Sequence, residues 1–150
     1  MKSNFVLVVL VLLAGAASAA EPQSTCSKWA LQIAGGDAEA CSDLCPQAAA
    51  FDHYNYRQGL SAAFGSEKGL TRFLGYLQRS SIIGAGAEAH ACSVSALLEH
   101  WGDQAFARHL STQSPTVREK AIGLIDYTAL PNFKARYPKT YRARRSGVGG

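Results

Sequence analysis

The sequence predicts an all-α protein, a single small domain of about five to six helices packed as helical hairpins and reinforced by disulfides. Apolar residues recur at the three- and four-residue spacing of a buried helix face along most of the chain. Glycine, serine and proline interrupt that pattern at short intervals, as they do where one helix ends and the next begins. No segment shows sustained alternation of polar and apolar residues, so we expect no sheet.

The beginning of the chain has the pattern of a signal peptide. Met1-Lys2 supplies a positive charge, Phe5 to Leu13 is an unbroken apolar run, and Ala17-Ser18-Ala19 has the small-x-small pattern of a cleavage site. We therefore expect residues 1–20 to be removed near Ala19 or Ala20. The apolar run is shorter than the ~20 residues of a membrane span. The sequence thus predicts a periplasmic or secreted protein without a transmembrane anchor in the mature chain.

Four cysteines, Cys26, Cys41, Cys45 and Cys92, follow this segment. An even number in an oxidising compartment favours two disulfides. A zinc site would need paired cysteine knuckles or nearby histidines, and only Cys41 and Cys45 approach that spacing. Because a bond between those two would close a very small ring, we expect Cys26 to pair with one of them and Cys92 with the other.

In the first half of the chain, the predicted helix boundaries depend on capping residues and proline. Ser24 or Thr25 can cap a first helix that ends at Gly35-Gly36. Pro46 suits the first position of a new helix, which we expect to continue to about Phe64.

The second half contains three apolar stripes with helical spacing, and the first two have the same spacing. Gly65-Ser66, Gly84-Ala85-Gly86 and Ser114-Pro115 each precede a predicted helix, and Gly102 is the expected stop within this half, with Asp103 as the next N-cap. The apolar stripes of these helices are Leu70, Phe73, Leu74 and Leu77, then Val94, Leu97, Leu98 and Trp101, then Val117, Ala121, Leu124 and Ile125.

Charge divides the chain into an acidic body and a basic tail. Residues 20–133 contain 8 Lys/Arg and 11 Asp/Glu, a net charge of −3, whereas residues 134–150 contain 6 basic residues and no acid, a net charge of +6. We expect residues 21–130 to form the helical domain and residues 131–150 a partly disordered tail. Its cations, including Arg142, Arg144 and Arg145, suit an anionic envelope surface. Nucleic acid is not expected as a partner in this compartment.

Glu88 and His90 form one candidate site. His90 lies on the stripe of Val94 and Leu97, and the glycines before it leave room for a ligand near the backbone. A hydrolase could use the pair in a cleft. The alternative, which is commoner, is a buried histidine with a local partner and a Glu88 that complements the helix N-terminus. No metal-binding or cofactor-binding motif is present, so we expect no metal and no cofactor.

The second candidate site is the aromatic and polar cluster from Phe51 to Arg57. On a helix, Asp52 and Tyr56 share one face, and His53 and Arg57 share another. Tyrosine, histidine and arginine suit a protein-binding surface because they bury area and keep polar tips. The alternative is a half-buried helix with solvated charges.

These features favour a non-enzymatic exported protein that binds another protein, as an inhibitor, immunity or accessory protein does. An envelope hydrolase using Glu88 and His90 is one alternative. A protein that binds an anionic envelope surface through its basic tail is the other.

Overall fold

The computed structural model describes residues 24–144 of the 150-residue chain, so the predicted signal peptide and Arg145 lie outside the described residues. Within that range the protein is all-helical, contains no strand and forms one domain, as predicted. Its eight α-helices are α1 (Thr25–Ala34), α2 (Leu44–Asp52), α3 (Tyr56–Gly65), α4 (Glu67–Tyr76), α5 (Ala85–Ser111), α6 (Pro115–Tyr127), α7 (Phe133–Arg136) and α8 (Pro138–Ala143), with a 3₁₀ turn at Glu39–Cys41.

Serine side chains begin three of these helices at the predicted positions. Ser24 Oγ accepts a hydrogen bond from Ser27 N in α1 (3.1 Å), Ser66 Oγ from Gly69 N in α4 (3.0 Å) and Ser114 Oγ from Val117 N in α6 (3.3 Å). Each serine satisfies one of the amides that have no partner within the helix. These boundaries are therefore encoded locally.

The single helix predicted from Pro46 to about Phe64 is wrong, because the chain forms two helices there. Pro46 is the third residue of α2 rather than the first, a position where its missing N–H costs no intrahelical bond. His53 ends α2 in the left-handed conformation (φ 49°), and Asn55 Oδ1 then caps α3 by accepting from Gln58 N at 3.2 Å. The connection of residues 53–55 places α2 and α3 at an angle that a continuous helix would not allow.

Helix α5 is the centre of the molecule. Every residue from Ala89 to Leu98 is buried, because α1, α2, α3, α4, α6 and α8 surround it. Gly102 interrupts it with φ 74° and ψ 166°, as its expected role of helix stop requires. Asp103 was predicted to cap its own helix, but its carboxylate accepts from Lys139 N and Thr140 N of α8, at 2.9 and 2.7 Å.

All four cysteines form disulfides, but the predicted pairing is wrong. The bonds join Cys26 to Cys92 and Cys41 to Cys45. The 3₁₀ turn and the start of α2 bring the Cα atoms of Cys41 and Cys45 to 5.3 Å, a normal disulfide separation, so the short ring closes readily. Helix α1 covers the side of α5 that bears Cys92, which places Cys26 there.

The described part of the C-terminal segment packs onto the body. Leu130, Phe133, Tyr137, Thr140 and Ala143 are buried, and α8 contacts α5 and α6. The buried rings of Phe133 and Tyr137 thus hold residues 133–143 on the folded domain.

Candidate functional site

A cleft of about 510 Å³ lies between the 3₁₀ turn, α2 and the start of α3. We call it the α2–α3 cleft. It contains three of the predicted site residues, His53, Tyr56 and Arg57. Its other lining residues are Ala38, Cys41, Ser42, Cys45, Pro46, Ala49, Tyr54 and Asn55.

The polar groups of the α2–α3 cleft carry positive or no charge. Arg57 supplies a guanidinium, His53 an exposed imidazole and Asn55 an amide, whereas no carboxylate lines the cleft. Arg57 Nη2 donates to the carbonyl oxygen of Asp37 at 3.1 Å. Its Nε is buried and has no hydrogen-bond partner within residues 24–144. Because Arg57 lines the cleft and no carboxylate does, the cleft is suited to a ligand that brings a carboxylate.

One part of the cleft wall is apolar and cross-linked. The Cys41–Cys45 disulfide, Pro46 and Ala49 form it, and the disulfide ties the 3₁₀ turn to the first turn of α2. A wall with little freedom to move costs little entropy when a ligand binds.

A buried polar network begins behind the cleft at Tyr56, which is 1 % exposed. Its hydroxyl lies 2.7 Å from His90 Nδ1, and His90 Nε2 lies 3.1 Å from Ser80 Oγ. Burial, with a smaller contribution from Lys120, lowers the pKa of His90 to about 4, so the ring is neutral at pH 7. Burial raises the pKa of Tyr56 well above 10. A protonated Tyr56 can donate to Nδ1, and Nε2–H then donates to Ser80.

Asp52 closes the other end of this network. Its carboxylate accepts from the Ser81 amide (3.1 Å), the Ser81 hydroxyl (2.6 Å) and the Tyr76 hydroxyl (2.5 Å). Desolvation by burial raises the pKa of Asp52, but the hydrogen bonds from Ser81 and Tyr76 outweigh it and the pKa is lowered. Asp52 is thus an ionised acceptor that holds the 77–84 connection against α2.

Tyr54 connects the network to the cleft. Its ring stacks on that of Tyr76 with centroids 3.7 Å apart and an angle of 10° between the planes. The absence of a side chain at Gly59 makes room for the Tyr54 hydroxyl, since a Cβ there would collide with it. Tyr54 is therefore a positioned part of the cleft wall.

The hydrogen-bonded chain from Ser80 through His90 to Tyr56 has the order nucleophile, base and orienting group that nucleophilic catalysis uses. However, Ser80 is 9 % exposed and His90 is 1 % exposed, and neither is among the residues that line the α2–α3 cleft. The two side chains are thus largely enclosed, as is common for a hydrogen-bonded group with a structural role.

Glu88 and His90 are not brought together. Glu88 is exposed in the first turn of α5, whereas His90 faces the core, because side chains two positions apart on a helix lie on different sides. The geometry gives the hydrolase hypothesis no shared site for the two residues.

A second cleft of about 480 Å³ contains Glu99, which sequence analysis did not select. Glu99 Oε2 accepts from Ser24 Oγ at 2.6 Å and also from Ser27 Oγ. His100 lines the same cleft and its Nε2 lies 3.0 Å from the carbonyl oxygen of Phe64. These contacts join residues 36 to 75 positions apart, so no local pattern signals them.

The described residues show neither a metal site nor a membrane span, and comparison with known proteins shows no relative. Within the described residues, no group of three or more His, Cys, Asp or Glu side chains is arranged to hold a metal ion. None of the helices in residues 24–144 combines the length and the apolar composition needed to cross a membrane. No protein-family description matches the chain, and neither curated proteins nor solved structures show a significant similarity to it.

Proposed function

We propose that this protein is exported to the periplasm or the exterior and acts by binding another protein, without catalysing a reaction. We further propose that the α2–α3 cleft receives an acidic segment of that partner. Disulfides are typical of proteins outside the reducing cytoplasm, and two are formed here.

The observation that carries the binding proposal is the composition of the cleft. A guanidinium, an imidazole and several apolar side chains line the same cleft, and no carboxylate is among its lining residues. A peptide that presents Asp or Glu next to an apolar side chain complements both sides at once. Arginine and tyrosine are also the residues that most often dominate the binding energy of an interface.

The rigidity of the cleft supports the same proposal. The disulfide cross-links part of the cleft wall, and stacking on Tyr76 holds the ring of Tyr54 in place. Preorganisation of this kind raises affinity because few groups must be ordered on binding.

The test uses a random peptide library selected on the immobilised full-length protein. We expect enrichment of peptides in which Asp or Glu adjoins an apolar residue. Replacing Arg57→Gln is expected to abolish that enrichment and to weaken binding of a selected peptide by about 10-fold or more, since a charged hydrogen bond is lost. The matched control is Arg72→Gln, which removes an exposed arginine of α4 outside the cleft.

Peptides without acidic enrichment, or an enrichment that Arg57→Gln leaves unchanged, would contradict the proposal. Equal unfolding midpoints of the two variants exclude loss of the fold as the cause.

A further inference from the structure

The Cys41–Cys45 disulfide forms part of the wall of the α2–α3 cleft, where another molecule can approach it. Its two cysteines differ in exposure, since Cys45 is half-buried and Cys41 is 1 % exposed. In thiol–disulfide exchange, a thiolate attacks one sulfur of a disulfide and the other sulfur leaves. The difference in exposure makes Cys45 the sulfur that an incoming thiolate meets and Cys41 the sulfur that leaves.

The surroundings of Cys45 favour a negatively charged sulfur. Cys45 is the second residue of α2, and a thiolate is stabilised at the N-terminus of a helix. Asp43, which precedes α2, forms no capping side-chain bond to the first amides of the helix. Arg57 brings a cation to the same cleft, and no carboxylate is among the lining residues. The cleft therefore lowers the energy of the thiolates that take part in exchange.

The domain can keep its fold when this bond opens. Cys41 and Cys45 are four positions apart, so opening the bond frees only a short loop. The other disulfide, Cys26–Cys92, still holds α1 on α5. Leu44, which is fully buried, still holds the start of α2 in the core. Exchange at Cys45 is thus compatible with the packed helices.

We propose that Cys41–Cys45 is a thiol–disulfide exchange site for a cysteine of a partner protein. The partner's thiolate attacks Cys45 Sγ and forms a bond with it. The bond between Cys45 and Cys41 breaks, and its electron pair stays on Cys41 Sγ, which then takes up a proton. The number of disulfides is unchanged, so the step consumes no further oxidant or reductant. Cys41 can attack Cys45 in turn and release the partner.

The exchange takes place in the cleft of the proposed function but does not need an acidic ligand. It rests on the proposed function only for the oxidising location in which the bond forms. The tests below therefore use uncharged probes, so that exchange and acidic-peptide binding are measured separately and can fail separately.

The first test compares two variants of the full-length chain, Cys41→Ser and Cys45→Ser. Both lose the same disulfide and keep Cys26–Cys92, so any loosening of the fold is common to them. The probe is bis(hydroxyethyl) disulfide, and mass spectrometry follows the mixed disulfide that forms. We expect Cys45 in the first variant to react about 10-fold faster than Cys41 in the second. It should still react at about pH 6, where an ordinary cysteine is almost entirely protonated.

The second test uses the unaltered protein and an uncharged peptide with one cysteine. Alkylation of the released thiols should show that Cys41–Cys45 opens about 10-fold faster than Cys26–Cys92, which also has one half-buried cysteine. Equal opening rates of the two disulfides would overturn the proposal. So would equal or faster reaction of Cys41 in the first test, or a Cys45 that does not react at about pH 6.

Discussion

His90 is a neutral imidazole in the centre of the protein. Its two ring nitrogens are hydrogen-bonded to Tyr56 and Ser80, and α5 places the ring among buried side chains. A buried histidine with both nitrogens engaged stabilises the fold only while it stays neutral, since protonation would leave a charge away from water.

We therefore expect the protein to lose stability in mild acid. The unfolded histidine takes up a proton near its ordinary pKa of 6.5, whereas the pKa of His90 in the folded protein is about 4. Between these values the unfolded state binds more protons, so the free energy of unfolding falls as the pH falls from about 6.5 to about 4. The contribution of His90 is ~2–3 kcal/mol between pH 7.5 and pH 4.5. Denaturant unfolding at the two pH values measures it.

His90→Gln should reduce this pH dependence by that amount, because glutamine keeps polar atoms but does not titrate. His53→Asn is the control, since it removes an exposed imidazole at a left-handed position that asparagine tolerates. A His90→Gln variant with the pH dependence of the original protein would contradict this explanation.

At the scale of elements, the kink in α5 decides how the C-terminal helices attach. The helix changes direction at Gly102, so that Phe106 and Leu110 beyond the kink are still buried and Asp103 reaches the amides of α8. The backbone angles of Gly102 lie in a region that residues with a side chain rarely occupy.

Gly102→Ala should therefore destabilise the protein by ~1–3 kcal/mol. A Cβ at this position would meet no atom within 4 Å, so the effect comes from the backbone conformation alone. Gly123→Ala in α6 is the matched control. It also meets no atom within 4 Å but lies inside a regular helix, where alanine should stabilise by ~0.5–1 kcal/mol. Thermal unfolding distinguishes the two, and a Gly102→Ala variant as stable as the original would show that the kink is not required.

At the scale of the whole molecule, the Cys26–Cys92 disulfide connects the first helix to the central one. It joins residues 66 positions apart, so the chain-entropy estimate of its stabilisation is ~4 kcal/mol, against ~2 kcal/mol for the short Cys41–Cys45 loop. The longer loop thus contributes more to holding the domain together, and the shorter one mainly shapes the cleft.

Export and disulfide formation can be checked together by mass spectrometry. Protein recovered from outside the cytoplasm should lack its first 19 or 20 residues and should not react with a thiol reagent before reduction. An intact N-terminus or four reactive thiols would contradict the proposed location.

Some features of this structure can be predicted from the sequence and others cannot. Helix starts at Ser24, Ser66 and Ser114 were predictable, because a serine bonds an amide only three residues away. The break at residues 53–55 was not, since the left-handed conformation of His53 depends on how α2 and α3 pack. The sequence cluster at residues 51–57 located part of the cleft, but Tyr54 acquires its role only by stacking on Tyr76.

The sequence by itself determined the all-helical fold, the serine caps of α1, α4 and α6, the interruption at Gly102 and the cysteines available for bonding, because these depend on interactions over a few residues. Only the tertiary structure decided which cysteines pair and which of the candidate residues share a cleft. Those outcomes depend on contacts between residues tens of positions apart, and the packing around α5 selects them.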